Sequence, residues 1–271
     1  MKHAGVSIQF RLIFYFCYRA AAAAFLHDTR NGGINIIKWM LIIVVSSAAA
    51  YFLLVLGAAA CVNMNRIYQH DSFLYRVLLN SCMSLYIRCH RLRIHFADRS
   101  KLPQDSRFFL ICNHPSRIDP IIIGHQLESS RIALFVEQEC FQVPVIGRIA
   151  RRCSYYSADC DDRKEYIGKL LSASARIADD KVSIGMFTKP TDPCSIAALA
   201  DQLLVAQTAG VPVVVLTLHG TENIRHCFPL QRTDIYLHVA DLIPADRITS
   251  SDAELLAEHV LHVMNRDAAR A

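Results

Sequence analysis

The hydrophobic positions fall into two regimes. From Trp39 to Val62 the chain runs 24 residues without a charge, and at 1.5 Å per residue a helix of that length spans about 36 Å, enough for the roughly 30 Å hydrocarbon core of a bilayer. This predicts a membrane-spanning helix. Ahead of it, Val6 to Leu26 is apolar but carries Arg11 and Arg19, and a central arginine costs about 2.5 to 3.5 kcal/mol on insertion scales. That stretch reads as an interfacial or tilted helix, or as an upstream extension if translation starts at Met40. It is too long for a cleavable signal and no small-residue cleavage site follows it, so the span reads as an uncleaved anchor.

Beyond the span the pattern shortens and alternates. Strand-like apolar runs occur at Phe108 to Cys112, Ile132 to Val136, Val182 to Phe187, Val213 to Leu218 and Ile235 to Val239. Helical periodicity lies at Arg163 to Ala178, Ile196 to Thr208 and Asp252 to Arg266, the last with Ser251 and Glu254 at capping-box spacing. Ser72 to Ile94 reads as an amphipathic helical segment able to lie against a membrane. Strands alternating with helices predict an α/β fold, a mixed and largely parallel sheet flanked by helices, preceded by an N-terminal transmembrane helix. The expected organisation is an interfacial or extension segment over 1–35, the membrane helix over 36–62 and one catalytic domain over 63–271.

Composition sharpens this picture. A hydrophobic content of 53% in 271 residues is high for a freely soluble protein. Basic residues crowd both flanks of the span, with Arg11, Arg19, Arg30 and Lys38 before it and Arg66, Arg76, Arg88, Arg91, Arg93, Arg99 and Lys101 after it. The bias favours a cytoplasmic C-terminal side. A net charge of +5 suits anionic lipid headgroups, and it equally suits an ordinary solvated basic face. No nucleic-acid motif accompanies the arginines, which argues against nucleic acid as a partner. The ten cysteines are scattered and form no C-x-x-C pair, so they read as reduced thiols rather than as disulfides or metal ligands.

Candidate chemistry concentrates in Arg107 to Ile123, RFFLICNHPSRIDPIII, where an apolar strand delivers Asn113 and His114 into a turn and Asp119 follows five residues after the histidine. A neutral imidazole titrates near working pH, and a carboxylate on its second nitrogen fixes the tautomer and stabilises the imidazolium formed in reaction. The same spacing recurs at His262 and Asp267. There the pattern is helical, and five residues at about 100° each put the two side chains roughly 140° apart. Around the first pair, Pro115 and Pro120 interrupt regular helix, so context separates the two. Cys112, at the strand end, is the alternative nucleophile, although packing is the commoner role of such a thiol.

NHPSRID resembles the acyltransferase signature of the lysophosphatidate acyltransferase family, within the glycerolipid acyltransferase superfamily. Glu139 to Gly147, ECFQVPVIG, is similar to the family's second block, with Pro144 and Gly147 forming its P-x-x-G turn. Val211 to Thr221, VPVVVLTLHGT, resembles the buried strand that begins Val-Pro and ends Gly-Thr. The likeness covers roughly Leu74 to Pro244. It implies His114 as general base, Asp119 as its orienter, and Asn113, Ser116, Arg117, Pro144 and Gly147 around the substrate.

Two departures stand out. Where the family carries a Phe-Pro-Glu-Gly-Thr turn for the acceptor phosphate, this chain has Phe187-Thr188-Lys189-Pro190-Thr191-Asp192. A second phosphate-binding arginine is replaced by Asp159-Cys160, leaving Arg163 or Arg151 as substitutes. An acceptor other than a simple glycerol phosphate, a degenerate relative and a local gene-model error over Thr188 to Leu204 each account for this.

The resemblance implies acyl transfer from acyl-CoA or acyl carrier protein to a lysolipid hydroxyl at a membrane. Neither a metal nor a redox cofactor is needed, and membrane lipid is the partner. The rival readings are a catalytically silent relative acting by lipid or partner binding, and a thioesterase in which the same base activates water.

Overall fold

The computed structural model describes residues 34–64, 68, 71–104, 106–113, 116–143, 145–159, 162–179, 182–188, 195–224 and 232–268. The apolar stretch Val6 to Leu26 lies outside them. Two compact units divide the chain between Asn63 and Met64.

The first unit contains helix α1 (Ile34–Ala60), apolar on all sides. Its portion from Lys38 to Ala60 is long and apolar enough to cross a membrane by length and composition. Met40, Leu41, Val44, Phe52 and Leu53 are exposed. Ser46 and Ser47 return their hydroxyls to the carbonyls of Ile43 and Val44, at 3.2 and 2.9 Å. Each serine therefore satisfies its own donor within the helix, as an apolar surrounding requires.

The second unit is built on a seven-stranded sheet. Its strands are β1 (Leu92–Ala97), β2 (Phe109–Asn113), β3 (Ala133–Val136), β4 (Tyr156–Ser157), β5 (Ile184–Thr188), β6 (Val213–His219) and β7 (Thr233–Ile243), in spatial order β1-β7-β6-β2-β5-β3-β4. Neighbours are parallel except β6 and β7, so β1 and β7 run against the other five. The predicted mixed, largely parallel α/β sheet is the observed one. Strands β2, β3, β5 and β6 are almost wholly buried, which is why they read as continuous apolar runs rather than alternations.

Helices cover both faces. On one side α6 (Arg163–Ala178), α7 (Ser195–Ala209) and α9 (Ala253–Ala268), with the short α8 (Ala245–Ser250), pack on Phe109, Ile111, Ile184, Met186, Val213 and Val215. Helix α6 starts where the Asp162 side chain accepts the Lys164 amide at 3.0 Å, and buries Leu170, Ala173, Ser174 and Ile177, a 3.6-residue stripe. The other face carries α2 (Phe73–Cys89), α3 (Asp119–Gln126) and α5 (Ile146–Arg152), the last preceded by the one-turn α4 (Gln138–Gln142).

Three local expectations are corrected and one is met. The helix expected over Ser72 to Ile94 ends at Cys89, and Leu92 to Ala97 becomes edge strand β1, whose alternating burial hides a strand in a polar-looking segment. The strand expected over Ile235 to Val239 extends over Thr233 to Ile243, because it is paired along both edges. The cap of α9 is Asp252, whose carboxylate accepts the Glu254 amide at 3.2 Å, and not Ser251. His262 and Asp267 do diverge: His262 is exposed, while Asp267 accepts from Thr217 and pairs with His238.

Candidate active site

The turn after β2 leaves toward α3 on one face, whereas β5, the neighbouring strand, leads to α7 on the other. Adjacent parallel strands whose connections part in this way open a crevice outside their carboxyl ends. The chemistry-bearing motif sits at that edge.

Asn113 closes β2. Its Nδ2 donates to the Leu218 carbonyl at 2.9 Å and its Oδ1 accepts the Leu218 amide at 2.7 Å. One side-chain amide thus imitates a strand neighbour and extends the β2–β6 ladder past its last backbone pair, Cys112 with Leu216. The following turn therefore starts from a fixed point. His114 and Pro115 lie outside the described residues.

Asp119, the first residue of α3, is fully buried, and its Oδ2 accepts the Ser116 amide at 2.7 Å. Ser116 thereby contributes a backbone donor that shapes the turn. Burying a carboxylate without donors is costly. A fixed, dehydrated carboxylate three residues into a turn is suited to orient a neighbouring ring.

Arg117 points elsewhere. Its Nη2 meets Oε2 of Glu139 on α4 at 2.7 Å, with both side chains more than half exposed, at 64% and 57%. The pair joins the NHPSRID turn to the ECFQVPVIG block, a contact that spacing alone did not reveal.

Gly147 is a packing residue: a Cβ there would lie 2.3 Å from the Phe141 carbonyl oxygen. Only glycine lets α5 fold back this closely on α4. Pro144 is outside the described residues. Val145, which follows it, adopts φ 70° and ψ −63°. This is γ-turn geometry, rare for a β-branched residue and costing about 1 to 3 kcal/mol.

The two substitute arginines differ. Arg163 opens α6 behind the carboxyl end of β4, is largely exposed, and pairs with Asp201 of α7 at 3.1 Å. Arg151 lies over the Phe141 ring, 5.2 Å from its centroid, and burial lowers its pKa. Asp159, where the family pattern expects a hydrophobic-Asp-Arg setting, accepts the Gln138 amide and so caps α4. Lys189 to Asp192 lie outside the described residues.

Cys112 is buried, and burial pushes its thiol far above the ordinary value, with the charge of Asp119 adding to the rise. It stays a protonated thiol and a poor nucleophile. The Cys140 thiol is likewise raised by burial, then by Glu137, while Arg117 pulls the other way. All six described cysteines are free. Among the described residues, no three His, Cys, Asp or Glu side chains converge to hold a metal. Asn113, Ser116 and Asp119 thus share one edge, Arg117 and Glu139 join it to the second block, and Arg163 stands further along behind β4.

Residues 93–219 match the family model described as Acyltransferase. The fold is similar to the crystal structure of the 1-acyl-sn-glycerophosphate (LPA) acyltransferase PlsC from Thermotoga maritima, with a TM-score of 0.54 at 19% identity, covering 81% of this chain and 88% of that one. Comparison with curated proteins returns no match.

Proposed function

We propose that the acyltransferase domain carried on residues 93–219 moves an acyl chain from a thioester, acyl-CoA or acyl carrier protein, to the free hydroxyl of lysophosphatidate or a related lysolipid at a membrane. The observation that carries this reading is Asp119, a fully buried carboxylate fixed by the Ser116 amide beside a turn anchored through Asn113. His114 takes the acceptor's hydroxyl proton as the oxygen attacks the thioester carbonyl. Asp119 holds the imidazole and stabilises the imidazolium. The tetrahedral intermediate then collapses, the C–S bond breaks, and the leaving thiolate recovers the proton from His114, giving ester and free thiol. The buried, protonated Cys112 thiol argues for this direct transfer over an acyl-enzyme. Arg117 supplies an exposed cation in the turn for a phosphate of donor or acceptor, and Arg163 a second one behind β4.

The apolar helix Lys38 to Ala60 supports attachment to the bilayer, with the domain facing the cytoplasm as the basic flank after it favours.

The test uses membranes containing the wild type, His114→Ala or Asp119→Asn, supplied with acyl-CoA and a panel of lysolipids, following thiol release and lipid product together. Diacylated product that falls about 10²-fold or more in both variants is the expected result. Free fatty acid in place of diacylated lipid would make the protein a thioesterase, and turnover retained in His114→Ala would remove that residue as the base.

A further inference from the structure

Arg117 and Glu139 form a bridge between two elements that have no other reason to share charge. Arg117 belongs to the turn between His114 and Asp119, so its reach is centred on the reacting edge, whereas Glu139 sits on α4 after β3. Their contact is an Nη2···Oε2 approach of 2.7 Å between exposed side chains. A guanidinium has five donors, and this approach uses one of its nitrogens. Glu137 and Asp159 act together with Glu139 on the neighbouring Cys140 thiol, and Arg117 opposes them. Of the two other arginines considered for the phosphate, Arg163 pairs with Asp201 and Arg151 packs on Phe141.

We propose that Glu139 is a specificity-determining residue: its carboxylate is a resident counter-ion on Arg117 that the phosphate of an incoming acceptor must displace. This rests on the reading above, in which the site takes a phosphate-bearing lysolipid. The carboxylate stands where a phosphate oxygen would bind, and a phosphate, with more charge and a matching fork geometry, is the stronger partner. Exposed ion pairs are weak, so the competition is mild, and removing the competitor gains about fivefold in phosphate affinity at most. An uncharged acceptor has nothing to exchange with Glu139. The pair therefore sets the preference between charged and uncharged lysolipids.

Equilibrium binding separates this from catalysis. In the His114→Ala background, dissociation constants of lysophosphatidate and of monoacylglycerol are measured by titration calorimetry in detergent micelles, with Glu139 and with Glu139→Gln. The expected result is a two- to fivefold shift of the ratio of the two constants toward lysophosphatidate in Glu139→Gln, abolished when Arg117→Ala is added. An unchanged ratio overturns the proposal. A shift toward monoacylglycerol also overturns it, because Glu139 would then be holding Arg117 in place for the phosphate. If lysophosphatidate binds and shifts as expected but the wild type transfers no acyl chain, the acyltransferase reading fails and the counter-ion role stands.

Discussion

Replacing Asn113 by alanine tests whether the candidate site depends on the strand-end clamp. The change deletes two hydrogen bonds, of 2.9 and 2.7 Å, and leaves the amide and carbonyl of Leu218, a fully buried residue, without their partner. A lost hydrogen bond costs about 0.5 to 1.5 kcal/mol net, and a buried group left unsatisfied costs about 1 to 3. Asn113 itself is only half-buried, so some water reaches the gap. The expected loss is about 2 to 4 kcal/mol of unfolding free energy, with turnover falling further because the turn that begins at His114 loses its fixed origin. Asn113→Asp keeps the acceptor for the Leu218 amide but sets a carboxylate oxygen against the Leu218 carbonyl, so it does not rescue. Denaturant unfolding in a mild detergent, followed by the same thiol-release assay, reads both effects. An Asn113→Ala protein within about 0.5 kcal/mol of the wild type would refute the clamp.

Gly147→Ala places a methyl 2.3 Å from the Phe141 backbone oxygen, a clash no side-chain rotation relieves, and should cost at least 1 to 3 kcal/mol in the same unfolding assay. Cys112→Ala should retain turnover at a modest cost in stability, and loss of product with intact folding would restore the thiol as nucleophile. Burial pushes the Asp267 carboxyl up, but hydrogen bonds from Thr217 and His238 and the charges of His238 and His219 outweigh it, leaving its pKa below the usual value. Asp267 therefore contributes stability above the unfolded carboxyl pKa of about 3.9, lost as pH falls through its lower folded value. The unfolding midpoint of Asp267→Asn should lie below the wild type at pH 6 and approach it near pH 3.

The fold was legible where periodicity was strong. Helix α6 matched its expected bounds because Asp162 caps it and its apolar stripe is unbroken. The buried central strands were found as apolar runs. Edge elements were missed for the same physical reason: β1 alternates charged and apolar residues, and the two-residue β4 has no pattern to read. At the site, spacing with strand context singled out Asp119, now seen as a buried carboxylate. Asn113 was placed in the turn and around the substrate through its motif. Its bond to Leu218, 105 residues away, has no local signature beyond an asparagine ending an apolar strand. The Arg117–Glu139 pair is equally non-local, since both residues are ordinary surface charges until the fold brings them together. Gly147 was read as lying around the substrate, and the structure adds a backbone reason for a glycine there.

The sheet's order also dictates when the folded protein can come into being. Among the described residues the earliest strand, β1, pairs only with the last, β7, and β2 lies between β5 and β6, both made long after it. Of the described strands in the first half of the domain only β3 and β4 pair with each other, the rest wait for strands made later, and closure of such distant pairings is slow. The nascent chain spends that interval with its future central strands unpaired and the apolar helix already synthesised. A chain ending before Thr233 would leave β1 without a neighbour and β6 with an open edge, the form in which strands recruit other chains. Truncation from the C-terminus is thus expected to produce aggregates rather than a weakened protein, although every residue of the NHPSRID turn would still be present.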